Sequence, residues 1–216
     1  MKSTTYLILA IGALIYINRR KAKNLYLDLT QGEDMQITEN FSWREFQGRT
    51  GLMPNDVSTR TLQMVGAMAG TLEIIRAYVG VPISITSGMR TAQSAAQMAA
   101  EGANPSATSD HFYDLNPASP LSVGAVDIQS SKLDTKALFN AILKLKYEGR
   151  IKTGQILLET ANGGTSYWVH LANDPRLFLT PEQLAKRSSN SINLIAVSMD
   201  NGKSFTPVPS GQFIKA

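Results

Sequence analysis

Cysteine is absent from the 216-residue chain. Neither a disulfide framework nor a thiolate metal site is open to it, so any transition metal has to be held by histidine and carboxylate. The absence does not mark a compartment. Histidine is scarce too, with two in the whole chain, His111 and His170. A basic surface is also lacking. The formal net charge is +4, and four basic residues sit together as Arg19, Arg20, Lys21 and Lys23, which leaves the remainder near neutral. Nucleic-acid binding needs a basic stripe on the folded part, so no nucleic-acid partner is expected. There is no low-complexity tract and no internal repeat. What is present is an apolar content of 43%. That suits one domain of about 150–200 residues plus an extra segment. A core of this size needs no covalent staple.

The extra segment is at the start. Ser3 to Asn18 carries no charge, TYLILAIGALIYIN is strongly apolar, and RRKAK follows. A cleaved signal peptide would end in a small-residue site, whereas this run ends in a basic cluster. A bilayer span needs roughly 20 apolar residues, with ~17 as a practical minimum. The run is at the short edge of that range, and Lys2 and Arg19 can snorkel outward to extend it. The flanking charges speak against a buried core helix. The expectation is an uncleaved single-pass anchor over 1–23, a polar linker over 24–40 and a folded domain over 41–216. More positive charge follows the run than precedes it, so the positive-inside rule places the domain on the cytoplasmic side.

In the folded part, FSWREF has Ser42 and Glu45 in capping-box spacing, which predicts a short helix. Leu62, Val65, Met68, Leu72, Ile75 and Val79 recur at helical spacing between Val57 and Val79, with Ser58 as cap and Gly80 as stop. VPISIT reads as a strand, SGMR as a turn and TAQSAAQMAAEG as an Ala-rich helix. Gly102 to Pro120 is loop-like. GAVDIQ reads as a strand, and DTKALFNAILKLKYEG as an amphipathic helix starting at Asp134. GQILLET and SYWVHLA read as a hairpin joined at ANGG. Thr180-Pro181 opens a last helix. NLIAVSM and KSFTPV read as a second hairpin around Asp200-Asn201-Gly202. Helices come first and mostly antiparallel strands follow, so the class is α+β: a small antiparallel sheet with flanking helices.

The chemistry-bearing residues lie in SATSDHFYDLNPASPLSVGAVDIQ and SYWVHLA. His111 sits in the polar loop. Asp127 sits in an apolar strand, where an unpaired carboxylate is costly and a metal ion would compensate it. Asp114, three residues after His111, is an alternative carboxylate ligand. A lone strand histidine such as His170 is more often a core or surface residue than a ligand.

Taken together and in order, FSWREF, EIIRAYVGVPISITSGMRT, SDH, AVDI, QILLET and YWVHLA resemble the motifs of one family. It is the zinc peptidases comprising D-alanyl-D-alanine carboxypeptidases and L-alanyl-D-glutamate endopeptidases. That family includes phage lytic enzymes and shares its fold with the hedgehog signalling domain. The likeness covers Phe41 to Ala172. It implies that His111, Asp127 and His170 bind Zn2+, that Glu159 is the general base, and that Arg90 pairs with a substrate carboxylate or the developing oxyanion. It also puts Ser109 at the substrate or beside the ligand. A catalytic zinc takes three protein ligands and keeps a fourth position for water. Asp110 is a candidate outer partner of His111, and Trp168 is expected to pack in the core.

Two departures from the pattern stand out. The family's S-x-H-x-x-G-x-A-x-D is stretched here by FYDLNPASPLSVG, and Val123 stands four before Asp127 where the pattern has glycine. A loop between ligands adds only a slowly growing closure entropy. Several family members carry an acid three before the last histidine, where this chain has Tyr167. Glu159 can replace it only if the hairpin register puts it on the face of His170. The resemblance implies a membrane-anchored zinc peptidase of bacterial peptidoglycan, at the bacterial inner membrane or in a virion membrane, cutting as an endopeptidase or a carboxypeptidase. The alternative is an inactive structural or wall-binding module with the same fold.

Overall fold

A computed structural model describes residues 35–103, 105–161, 166–187, 192–200 and 204–215. The expected anchor over 1–23 and most of the linker lie outside them. Among the described residues no helix is long and apolar enough to cross a membrane. Gln36–Ala216 form one compact unit.

Local signals place the helices. In α1 (Trp43–Gln47) the backbone N–H of Ser42 donates to Glu45 Oε2 at 2.9 Å. In α2 (Thr59–Val79) Ser58 Oγ accepts from the Thr61 N–H at 3.0 Å, and Gly80 ends the helix in the left-handed conformation at φ 69°. Met64, Val65, Met68, Ala69, Leu72 and Ile75 form the buried stripe of α2, while Leu62 and Val79 at its ends are half-buried. Thr91 and Ser94 cap α3 (Ala92–Ala100) reciprocally. Asp134 caps α4 (Thr135–Tyr147), whose Leu138, Phe139, Ile142, Leu143 and Leu145 are buried. Thr180 caps the short α5 (Pro181–Lys186).

The strands are β1 (Ser84–Ser87), β2 (Ala125–Gln129), β3 (Thr153–Ala161), β4 (Ser166–Asn173), β5 (Leu194–Ser198) and β6 (Thr206–Pro207). They form one mixed sheet in the order β1-β2-β4-β3-β5-β6. The α+β class holds, but the sheet is not wholly antiparallel, because β5 runs parallel to β3. The reason is topological. β5 follows β4 yet lies on the far side of β3, so the chain crosses over through α5 instead of turning back in a hairpin. The hairpin of β5 with β6 forms as expected, with Val197 opposite Thr206; its tip lies outside the described residues.

Strand alternation sorts the side chains. Val126 and Ile128 of β2, Val169 and Leu171 of β4, and Ile156 and Leu158 of β3 share one face and are buried. This face meets α2 and α4, which also pack on each other. The opposite face carries Asp127, His170, Trp168, Leu157 and Glu159.

The stretch between His111 and Asp127 is a fixed excursion. Asp114 accepts from the hydroxyls of Ser58 and Thr61, so it docks the excursion on the first turn of α2. Arg60 Nη2 donates to the Ser122 carbonyl at 3.1 Å. Tyr113 is fully buried, and its hydroxyl donates to the Ala125 carbonyl at 3.3 Å. Its ring lies over Gly124, where an added Cβ would fall 2.6 Å from Tyr113 Cε1. Gly124 also has φ +82°, a conformation that a side chain penalises. Gly124→Ala is therefore expected to cost about 1–3 kcal/mol of stability. Urea unfolding measures it, and an unchanged midpoint would refute the close approach.

Candidate metal centre

Three elements bring the ligand candidates together. Asp127 and His170 are directly opposite each other across β2 and β4. His111 comes from the three-residue 3-10 turn Asp110–Phe112, whose cap Ser109 accepts the His111 N–H at 3.3 Å. His111 Nε2 lies 3.2 Å from Asp127 Oδ1 and 3.2 Å from His170 Nδ1. His170 Nδ1 lies 3.0 Å from the same Asp127 Oδ1. All three residues are buried, and they form a group that could hold a metal ion.

The outer ring nitrogens set the tautomers. His111 Nδ1 lies 2.7 Å from the Gly88 carbonyl, which only accepts, so Nδ1 carries the proton there. His170 Nε2 donates to Gln155 Oε1 at 3.2 Å. Each ring thus turns a lone pair inward, and with Asp127 Oδ1 three acceptors meet at about hydrogen-bond distance. A cation among them removes the repulsion. So does a proton on one imidazole.

The titration behaviour follows from this crowding. Burial pushes His111 down, and the opposing pull of Asp127 is smaller. Burial also opposes the charged form of His170, but the hydrogen bond and charge of Asp127 outweigh it and raise the group. Asp127 is desolvated, yet the two histidines hold its carboxyl well below the usual carboxylate range. In the metal-free state Asp127 thus favours the protonated form of His170 more than that of His111.

The other expected site residues line the same cleft of about 750 Å³. Arg90 Nη2 donates to Ser87 Oγ at 3.1 Å and stands 3.5 Å from Asp127 Oδ2. Burial lowers its pKa, and Asp127 and Glu159 offset part of that. Glu159 is directly opposite Trp168, on the face of His170. The register condition is met, and Glu159 is a diagonal neighbour of His170, about 7–8 Å away at Cα. Burial raises the Glu159 carboxyl, His170 pulls it down, and Asp127 pushes it up again. Tyr167 pairs with Thr160 and points to the helix side, where Lys136 lies over its ring. Ser109 lines the cleft as well as capping the turn of His111.

Three expectations are corrected. Asp114 is not a ligand, because both of its oxygens are taken by Ser58 and Thr61. Asp110 does not touch the His111 ring; its carboxylate forms a buried ion pair with Arg187. Trp168 is half-buried in the cleft wall, not in the core, because it shares the strand face of His170. Two partners went unforeseen. Gln155 was readable, since residues 155, 157 and 159 share a face once the strand is recognised. The Gly88 carbonyl left no signal, although Gly88 itself is obligatory: an added Cβ would fall 2.2 Å from the Phe46 carbonyl oxygen.

Comparison with protein-family models, curated proteins and solved structures gives no match.

Asp127→Ala and His170→Ala are each expected to abolish metal retention, whereas Asp114→Ala keeps it and loses about 1–2 kcal/mol of stability through the lost hydrogen bonds to Ser58 and Thr61. Metal analysis beside urea unfolding separates them. Affinity is also pH-dependent, with a definite sign. A divalent ion competes with protonation of His170, whose pKa is raised by the hydrogen bond and charge of Asp127. Affinity therefore falls as pH drops through the raised His170 pKa, and levels off above it. Chelator competition across that range checks this, and a flat profile would contradict it.

Proposed function

We propose that the chain is a zinc-dependent peptidase that cuts the peptide stems of bacterial peptidoglycan. The observation that carries this reading is the placement of Glu159 on the same sheet face as the His111–Asp127–His170 group, inside one cleft with Arg90. A binding module has no need of a displaced carboxylate beside a three-ligand centre.

The donor set favours zinc. Two imidazole nitrogens and one carboxylate oxygen are its usual catalytic ligands, and bonds of about 2.0–2.1 Å in a tetrahedron put ligand atoms ~3.3 Å apart. The observed separations of 3.0–3.2 Å are close to that edge. Calcium takes 6–8 oxygen ligands at longer range and fits poorly. Zinc, when bound, supplies a Lewis acid for the scissile carbonyl and acidifies water.

The protein's own groups supply the rest. Glu159 takes a proton from the attacking water and hands it to the departing amine, so that a carboxylic acid and a free amine leave. A raised carboxyl pKa suits a group that must hold that proton for part of the cycle. Arg90 presents guanidinium N–H groups to the oxyanion or to a substrate carboxylate. Gln155 and Gly88 keep both imidazoles in the ligating tautomer. Ser109 sets the turn that presents His111.

The resemblance to the D-alanyl-D-alanine carboxypeptidase and L-alanyl-D-glutamate endopeptidase family, phage endolysins included, supplies the substrate class. The apolar start of the chain is proposed as an anchor in the bacterial inner membrane or a virion membrane. An enzyme facing the cytoplasm reaches the wall once the membrane is breached.

Wild-type protein loaded with zinc is expected to release new amino groups from purified peptidoglycan. Glu159→Gln should reduce that rate by roughly 10²–10⁴-fold while retaining its zinc. A zinc-loaded wild type that releases none would leave a wall-binding module instead. Deletion of residues 1–23 should move the protein from the membrane fraction to the soluble one.

A further inference from the structure

The segment after β4 contributes a residue to the site from well beyond the ligand motifs. Arg187, at the end of α5, reaches back 77 positions to Asp110, the neighbour of His111. The pairing is bidentate: Nη1 meets Oδ1 at 3.0 Å and Nη2 meets Oδ2. Nη1 also donates to the Leu121 carbonyl at 2.6 Å. The side chains are 8% and 3% exposed, so the pair is all but out of water. Asp110 has a second task. Its Oδ1 accepts the Val123 N–H at 3.1 Å, and its carbonyl accepts the Ser122 hydroxyl at 2.8 Å. One residue thus joins the start of the excursion to its end, beside His111.

A buried ion pair seldom contributes much net stability, because desolvation of both charges offsets their attraction. Its value lies in geometry. A guanidinium fork on a carboxylate allows one relative orientation, which a lysine cannot impose. Asp110 shares a three-residue turn with His111, so fixing its carboxylate fixes the backbone from which the imidazole projects. His111 is also the one ligand candidate outside the sheet, where no ladder holds it.

We propose that Arg187 is a positioning residue: through its fork on Asp110 it holds His111 at the distance from Asp127 and His170 that metal binding requires. It is not one of the three ligand candidates. The inference rests on the metal reading of the three-residue group and not on the peptidase reading.

The test uses the full-length chain with Zn2+ and Co2+ as probes. Arg187→Met and Asp110→Asn should each weaken Zn2+ affinity about 10–100-fold, as measured against a chromogenic chelator. At saturating Co2+ the visible bands of both variants should shift and weaken, which a loss of global stability alone does not produce. Arg187→Lys keeps the charge without the fork and should recover only part of the affinity. The double variant should bind no worse than the weaker single one, because both changes break one contact. If Arg187→Met does not fold, Arg187→Lys and Asp110→Asn carry the test. Any of these variants that folds and keeps both wild-type affinity and the wild-type Co2+ spectrum overturns the proposal. A wild type that binds neither ion overturns the metal reading itself, which is a different result.

Discussion

The register of three neighbouring strands is the constraint on which the site depends. Asp127 faces His170 across β2 and β4, and Leu157 faces His170 across β3 and β4. These two pairings put the carboxylate, the imidazole and Glu159 on one side of the sheet. They also put Val126, Leu171 and Ile156 on the other, against the helices. The apolar side enforces the polar one. A slip of one residue would turn Asp127 and His170 into the helical core and expose the aliphatic row. Burial of that row therefore fixes the aim of two of the three ligand candidates.

What the sheet does not hold is His111, and the molecule handles it differently. A capped 3-10 turn presents the ring, the Gly88 carbonyl takes its outer proton, and the excursion behind it is pinned at Asp110, Asp114 and Tyr113. Three inward lone pairs at 3.0–3.2 Å repel one another, so the arrangement stays put only with a positive charge among them. A proton on one imidazole and a metal ion in the group would each supply it.

Much of this was readable from the residues. Caps at Ser42, Ser58, Thr91, Asp134 and Thr180 are local chemistry, and each begins a helix where a short-range hydrogen bond predicts one. An apolar run marks AVDI as a strand and alternation marks YWVH, and the chain's two histidines both fall in the group that could hold a metal ion. Long-range facts were not readable. Nothing near β5 says that it runs beside β3 and not back along β4. Asp110 and Asp114 both stand close to His111, and only the fold shows that one serves Arg187 and the other the start of α2. Tryptophan usually packs in a core, yet strand alternation puts Trp168 on the face of His170, in the cleft wall.

Tyr113 packed over Gly124 has a further consequence. The chain leaves the turn of His111 and re-enters the sheet at nearly the same place, so the ten residues between Tyr113 and Gly124 hang from a closed neck. Insertions or deletions beyond that neck would leave His111 and Asp127 where they are. Variation in this segment would then reshape the rim of the cleft, which Ala118 to Ser122 line, while the His111–Asp127–His170 group beneath it stayed intact.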